Sequence, residues 1–249
     1  MRQYRSFAYR RAHYRISCCP PEHTEVIRQE IRTQRGLLED YAEQQPEFLT
    51  ALEPLKLLPG APEAAVLMQA AARLAGVGPM AAVAGILAEL AVRAALKAGA
   101  DEAIVDNGGD LFAASNREVV VGLFAGSRSP LSGLAFRLLP GQLPLAVCSS
   151  SSKMGHSLSF GDCDLATVVS SDAALADAAA TLACNLVHCP GEIDAVLERV
   201  AAIPGVTGVL IVKKDRVGLA GDLPELIRHR DAGLHAKVTR DRQSGFFRA

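Results

Sequence analysis

The chain has 249 residues, 26 basic and 27 acidic side chains, a formal net charge of −1 and 49% apolar composition. It is long enough to bury its own core, and this balance excludes a disordered or collagen-like chain. Near-neutral charge, 5% aromatic residues and no Trp also argue against a protein that coats nucleic acid.

Residues 4–17 interleave Tyr4, Phe7, Tyr9, Tyr14 and Ile16 with arginines and read as one strand or a hairpin with a solvated face. No apolar run follows these arginines, so the segment is not a secretory signal. Pro20-Pro21 closes it. Residues 22–44 carry Val26, Ile27, Ile31, Leu37 and Leu38 at helical spacing among Glu, Arg and Gln, which predicts an amphipathic helix. Residues 45–61, with three prolines, read as a connector. The Ala-rich stretch 62–98 predicts two helices broken at Gly76-Val77-Gly78-Pro79, with Pro79 in the first turn of the second. The uncharged apolar run 74–88 falls short of the roughly 20 residues that span a bilayer. We therefore expect a soluble, cytoplasmic protein without membrane or nucleic-acid partners.

Beyond Gly99, residues 103–114 and 117–125 read as strand-rich segments, the first broken by Asn107-Gly108-Gly109. Two more strands are expected around 132–140 and 143–150, and another at 165–171. Helices are predicted at 172–187 and 193–203, then a strand, a turn at 213–215 and a second strand. The tail after Pro224 is polar and holds Arg228, Arg230, Lys237, Arg240, Arg242 and Arg248, a solvated segment or an anion-docking one. Strands and helices interleave irregularly, so the fold class is α+β or mixed α/β.

The six cysteines include no CxxC pair and no zinc-site spacing. Cys184, in an Ala-rich helical run, reads as a small core residue. Residues 76–81 match a GxGxxA pattern, but a helical segment precedes them where a dinucleotide site needs a strand.

Four segments carry chemistry. Residues 77–85 start a helix with small residues, which suits close helix packing or an anion at free N–H groups. Asp106-Asn107-Gly108-Gly109-Asp110 reads either as a hairpin turn or as a phosphate nest. Ser149 to Gly161, with Ser150, Ser151, Lys153 and His156, is a polar loop able to hydrogen-bond a ligand or simply a surface loop. Asp177 and Thr181 stand four residues apart on one helix face, a spacing that suits Mg²⁺ or an exposed pair.

In this order, GPMAAVAG, DNGGD, the SSSSKMGHSLSFG loop and ADAAAT resemble the ApbE-like flavin transferase superfamily, in an uncharacterised cytoplasmic branch, over residues 76–185. The resemblance implies a single α+β, T-fold-like domain over residues 1–249, with mixed sheets flanked by helices. Residues 20–61 would be a helical insertion or connector and 224–249 a polar basic tail. It implies FAD or FMN bound with Mg²⁺, transferred as FMN to a protein acceptor. The metal would be held by Asp177, Thr181 and a main-chain carbonyl near Val83. Gly78, Met80, Asn107, Gly108, Gly109, Ser150 and Ser151 would bind the cofactor or a related phosphorylated ligand, and His156 and Asp110 would be catalytic. Two features depart from the family pattern. The lysine of its KG pair is Ala84 here, and the loop after His156 lacks the family's Asp, Pro and Thr. The resemblance also admits an accessory role in anaerobic sulfur incorporation during homocysteine formation, without flavin transfer, with Cys18, Cys19 and Cys148 as sulfur handlers.

Overall fold

The computed structural model describes residues 2–126, 129–153 and 159–229. Strands β1 (Arg5–Tyr9) and β2 (Ala12–Cys19) form a hairpin through a two-residue turn. Helix α1 (Thr24–Gln44) follows, and the connector after it contains one helical turn, α2 (Glu47–Thr50). Helices α3 (Glu63–Ala75) and α4 (Val83–Lys97) are separated as expected, and Pro79 opens a 3-10 turn, Pro79–Ala82, that leads into α4. Then come β3 (Glu102–Asn107), β4 (Asp110–Ala114), β5 (Val119–Gly122), β6 (Leu134–Leu138), β7 (Leu145–Ser150) and β8 (Leu165–Ser170). Helices α5 (Ala173–Leu186) and α6 (Ile193–Ala201) precede β9 (Val206–Lys213), β10 (Arg216–Gly221) and β11 (Glu225–Arg228).

Eight strands form one sheet in the order β1-β2-β3-β4-β7-β8-β9-β10, and β11-β6-β5 form a second, smaller sheet. Every described pairing is antiparallel. Two-residue hairpins join β1 to β2, β3 to β4 and β9 to β10, and such short turns can only reverse the chain. The architecture is thus α+β, with antiparallel sheets flanked by helices.

Period-two alternation along the large sheet feeds two cores. Val105, Phe112, Ala146, Val168 and Ile211 face the helices. Their neighbours Ile104, Leu111, Val147, Val169 and Leu210 face the small sheet. The polar reading of the chain after Pro224 missed β11. Its Leu226 packs on the second core, and Glu225 accepts a 2.9 Å hydrogen bond from Arg137 of β6. Four residues with charges at both ends are too short to show a strand pattern. Arg228 is exposed at the end of β11, and the remaining basic positions of the tail lie outside the described residues.

The stretch Pro79–Lys97 is long and apolar enough to cross a membrane by length and composition alone, yet 61% of its apolar window is buried inside the protein. It packs against α1, α5, β3 and β4. Such packing explains an apolar helix without a bilayer.

At the far end of β3, Glu102 gathers Arg2, Ser115 and Arg117. Burial would raise its carboxyl, yet the hydrogen bonds from Arg2, Ser115 and Arg117 hold it down at about 2. A depressed carboxyl adds stability that is full above its ordinary value near 4.5 and is lost as pH falls toward about 2. Glu102→Ala is expected to cost about 1–3 kcal/mol at pH 7 and to flatten the acid limb of stability in that window. Urea unfolding from pH 7 to pH 2 checks both.

Candidate functional site

The site begins with an exchange between two antiparallel helices. The N-cap of α4, Ala82, offers no side-chain acceptor to the helix's free N–H groups. Asp177 of α5 supplies one instead: its Oδ2 accepts the Gly85 N–H at 2.9 Å, and the carboxylate also accepts from Ala84. In return, Glu89 of α4 accepts the Ala173 N–H at the start of α5, at 2.7 Å. Each helix start is thus neutralised by a carboxylate one turn inside its partner. Gly85 makes this possible. A Cβ there would stand 2.2 Å from the Ala173 carbonyl oxygen and 3.0 Å from Asp177 Cβ.

The β3–β4 hairpin closes on the same place. Gly108 (φ +72°) and Gly109 (φ +114°) form its two-residue turn, a conformation that glycine adopts without strain. The Gly109 N–H donates to Asp106 Oδ1 at 3.0 Å, so Asp106 caps the turn. Asn107 Nδ2 donates to the Ala84 carbonyl at 3.1 Å and ties the hairpin to the first turn of α4. Asp110 lies buried beside β7, where it accepts the Ser149 N–H at 3.3 Å and the Cys148 thiol proton. Cys148 also lies 3.7 Å from the Ala173 carbonyl, at the start of α5.

Burial pushes the Asp177 carboxyl up to about 7, against the pull of the Gly85 and Ala84 N–H groups. Burial, then the charges of Asp177 and Asp106, raise Asp110 well above the carboxylate range. Two buried acids therefore face one another with no cationic side chain paired to either among the described residues. An oxygen donor set of this kind fits a small, hard cation. Among the described residues, no group of three or more His, Cys, Asp or Glu side chains forms a metal centre. A Mg²⁺ here would therefore depend on the Asp177 carboxylate, a hydroxyl, a main-chain carbonyl, and water or phosphate oxygens.

The structure brings Asp177, Asp110, Asn107 and the 83–85 turn together. It gives other predicted positions structural work. The helix-start N–H donors of Ala84 and Gly85, read as attracting an anion, are engaged by the protein's own Asp177. Gly78 is glycine because the Ala51 carbonyl oxygen passes 1.7 Å from where its Cβ would stand. Met80 and Val83 line an apolar pocket of about 190 Å³ with Leu38, Ala42, Phe48 and Leu49. Ser151 Oγ donates to the Asp164 carbonyl at 2.7 Å. Ser150 is buried and bonds Cys184. Gly108 and Gly109 are exposed at the hairpin tip, and Thr181 is half-buried one turn beyond Asp177. His156 lies outside the described residues.

Glu89 went unassigned in the sequence and Gly85 was read only among the small residues of a helix start, though each left a trace: a lone acid ending an apolar run, and a glycine inside an Ala-rich helix. The thiols also differ from expectation. Cys18 is pushed up to about 11 by burial, and Cys148 is raised by burial and by the Asp110 and Asp177 charges. Neither is a ready sulfur nucleophile. Cys184 is the exception: the Cys163 thiol and the hydroxyls of Ser152, Ser159 and Ser150 hold it down at about 6, although it is fully buried.

Solved structures share this fold. The apo flavinyl transferase ApbE of Pseudomonas stutzeri superposes with a TM-score of 0.56 at 13% identity, over 88% of this chain and 94% of that one. The ApbE protein of Thermotoga maritima gives 0.52 at 14% identity, over 96% and 100%. The fold is therefore the ApbE fold. The family model described as "AbpE bacteria" matches residues 13–207, and the chain belongs to that family. Among curated relatives, a UPF0280 protein of Methanosarcina acetivorans is 40% identical over 214 residues, 86% of this chain and 84% of its own length. A UPF0280 protein of Archaeoglobus fulgidus is 46% identical over 198 residues, 77% and 80% of the two chains.

Two substitutions test the geometry. Gly85→Ala drives a methyl group into the Ala173 carbonyl and is expected to cost about 2–3 kcal/mol, read as a lower urea midpoint with unchanged slope. A raised acid favours folding below its ordinary value and loses that contribution as pH rises through its folded value, about 7 for Asp177. Asp110→Asn keeps the acceptor for Ser149 and removes one of the two buried acids. It is expected to raise metal-free stability at pH 8 by at least about 1 kcal/mol and to flatten the pH dependence between 4 and about 8.

Proposed function

We propose that the chain binds a flavin nucleotide, or a closely related phosphorylated ligand, with Mg²⁺ in the cleft between the 108–110 turn and the 177–181 face of α5. The observation that carries this reading is the convergence of Asp110 and Asp177 as a buried acid pair without a cationic partner among the described residues. The flavin transferase fold supports it. Asp177, the Thr181 hydroxyl and the Val83 carbonyl would hold the metal, which would supply positive charge beside a diphosphate.

The chain's own residues do the rest. Asn107 fixes the turn that presents Val83 and Ala84 by gripping the Ala84 carbonyl. Asp106 locks the exposed Gly108-Gly109 backbone so that it can approach a phosphate closely. Asp110, kept protonated by burial and by its neighbours' charge, is the group able to give or take a proton at the ligand. The apolar pocket at Met80 and Val83 opens beside this turn.

Ala84 replaces the family's lysine, so no cationic side chain stands in that turn to meet a phosphate. Ligand binding should therefore depend steeply on the metal, and transfer of FMN to a protein acceptor is a second, separable step. FAD titration followed by flavin fluorescence is expected to show binding with Mg²⁺ and none with EDTA. Asp177→Asn or Thr181→Ala should weaken binding at least about tenfold, equivalent to ~1.4 kcal/mol. No binding of FAD or FMN under either condition sinks the proposal.

A further inference from the structure

A second cluster of reactive side chains lies apart from the acid pair. Cys184 sits in the last turns of α5, and Cys163 sits in the segment leading into β8; both are fully buried. The two sulfurs interact, and the Cys163 thiol also donates to the Val212 carbonyl oxygen at 3.5 Å. Ser152 Oγ accepts the Cys163 N–H at 3.0 Å and stands 3.3 Å from Cys184 Sγ, which brings the two residues to one point. Ser159 Oγ also stands 3.3 Å from Cys184 Sγ and 2.9 Å from Ser152 Oγ. Gly161 brings this segment onto α5: a Cβ there would stand 2.1 Å from the Cys184 carbonyl oxygen. An inert core cysteine needs apolar neighbours, and this sulfur is ringed by hydroxyls and a second thiol.

We propose that Cys163 and Cys184 form a reversible redox pair, closed to an intramolecular disulfide by a small hydroperoxide. The argument is independent of what the acid pair binds. Hydroxyls placed around a sulfur stabilise its anion, the form that attacks peroxides. Consistent with this, the Cys184 thiol is held at about 6 while Cys163 keeps its proton. The pair lies one layer below solvent, under half-exposed Ser152 and Ser159, so a molecule the size of hydrogen peroxide suits it better than a bulky disulfide.

The step balances. Cys184 sulfur attacks one peroxide oxygen, an S–O bond forms and the O–O bond breaks, and the second oxygen leaves with a proton as water or alcohol. Cys163 sulfur then attacks Cys184 sulfur, an S–S bond forms and the S–O bond breaks, and the oxygen departs with the Cys163 proton as water. Two thiols are oxidised and one peroxide is reduced. A dithiol reductant reverses the disulfide by exchange.

The test uses the folded 249-residue chain, which has six free thiols. After equimolar hydrogen peroxide and an alkylating quench in denaturant, peptide mapping should show one cross-link, joining the Cys163 and Cys184 peptides. Two of the six thiols should be lost and then recovered with dithiothreitol. In Cys163→Ser, Cys184 should stop at the sulfenic acid and take up dimedone. The wild-type map decides the matter even if that variant fails to fold. Cys163 and Cys184 remaining free thiols after an exposure that oxidises exposed Cys19 and Cys189 would overturn the proposal, as would a cross-link to any other cysteine.

Discussion

Two carboxylates exchanged between helix starts hold the rest of the molecule in register. Asp177 receives the N–H groups of α4 and Glu89 receives that of α5, across a contact that only a glycine at position 85 permits. Each helix start carries a partial positive charge, and each acid lies where that charge is felt. The exchange orients α5 over β7 and β8 and sets Asp177 opposite Asp110. The acid pair is therefore a product of helix packing as much as of the loop sequences around it.

The same exchange limits the chemistry. Ala84 and Gly85 spend their backbone donors on Asp177, so an incoming phosphate meets acids rather than open N–H groups at this helix start. A phosphate there needs a cation between itself and the carboxylates. Ala84 and the burial of two acids act in one direction: under the proposed function, both would make a metal the main source of positive charge. Glu89 completes the arrangement through Arg93, which pairs with it one turn along α4 and turns a buried acid into part of an ion pair.

Much of this was legible in the sequence. Apolar, strand-rich segments marked the sheet strands, the DNGGD break fell at the β3–β4 hairpin, and the Gly76–Pro79 break divided α3 from α4. The i, i+4 spacing of Asp177 and Thr181 put both on one helix and, through the family resemblance, linked that helix to the glycine turn. What stayed hidden was non-local. Whether the N–H groups at the start of α4 face a ligand or Asp177, 92 residues away, has no trace in local pattern. Gly78 looked like a ligand-approach residue, and only the path of the Ala51 carbonyl shows why it lacks a side chain. Cys184 read as filler because its hydroxyl partners arrive from a loop 25–32 residues earlier. β11 was missed because four residues with charged ends show no alternation.

Helix α5 has one more consequence. From Ala173 to Cys184 nearly every residue is buried, and most are alanine. Such a rod has no slack volume: a larger side chain would collide with the strands beneath or with the helices beside it. Larger side chains find room instead at exposed positions between β7 and β8, such as Lys153 and Phe160. Under the proposed function, a change of ligand preference would then come from re-edging a fixed platform, with the platform itself held constant by its own tightness.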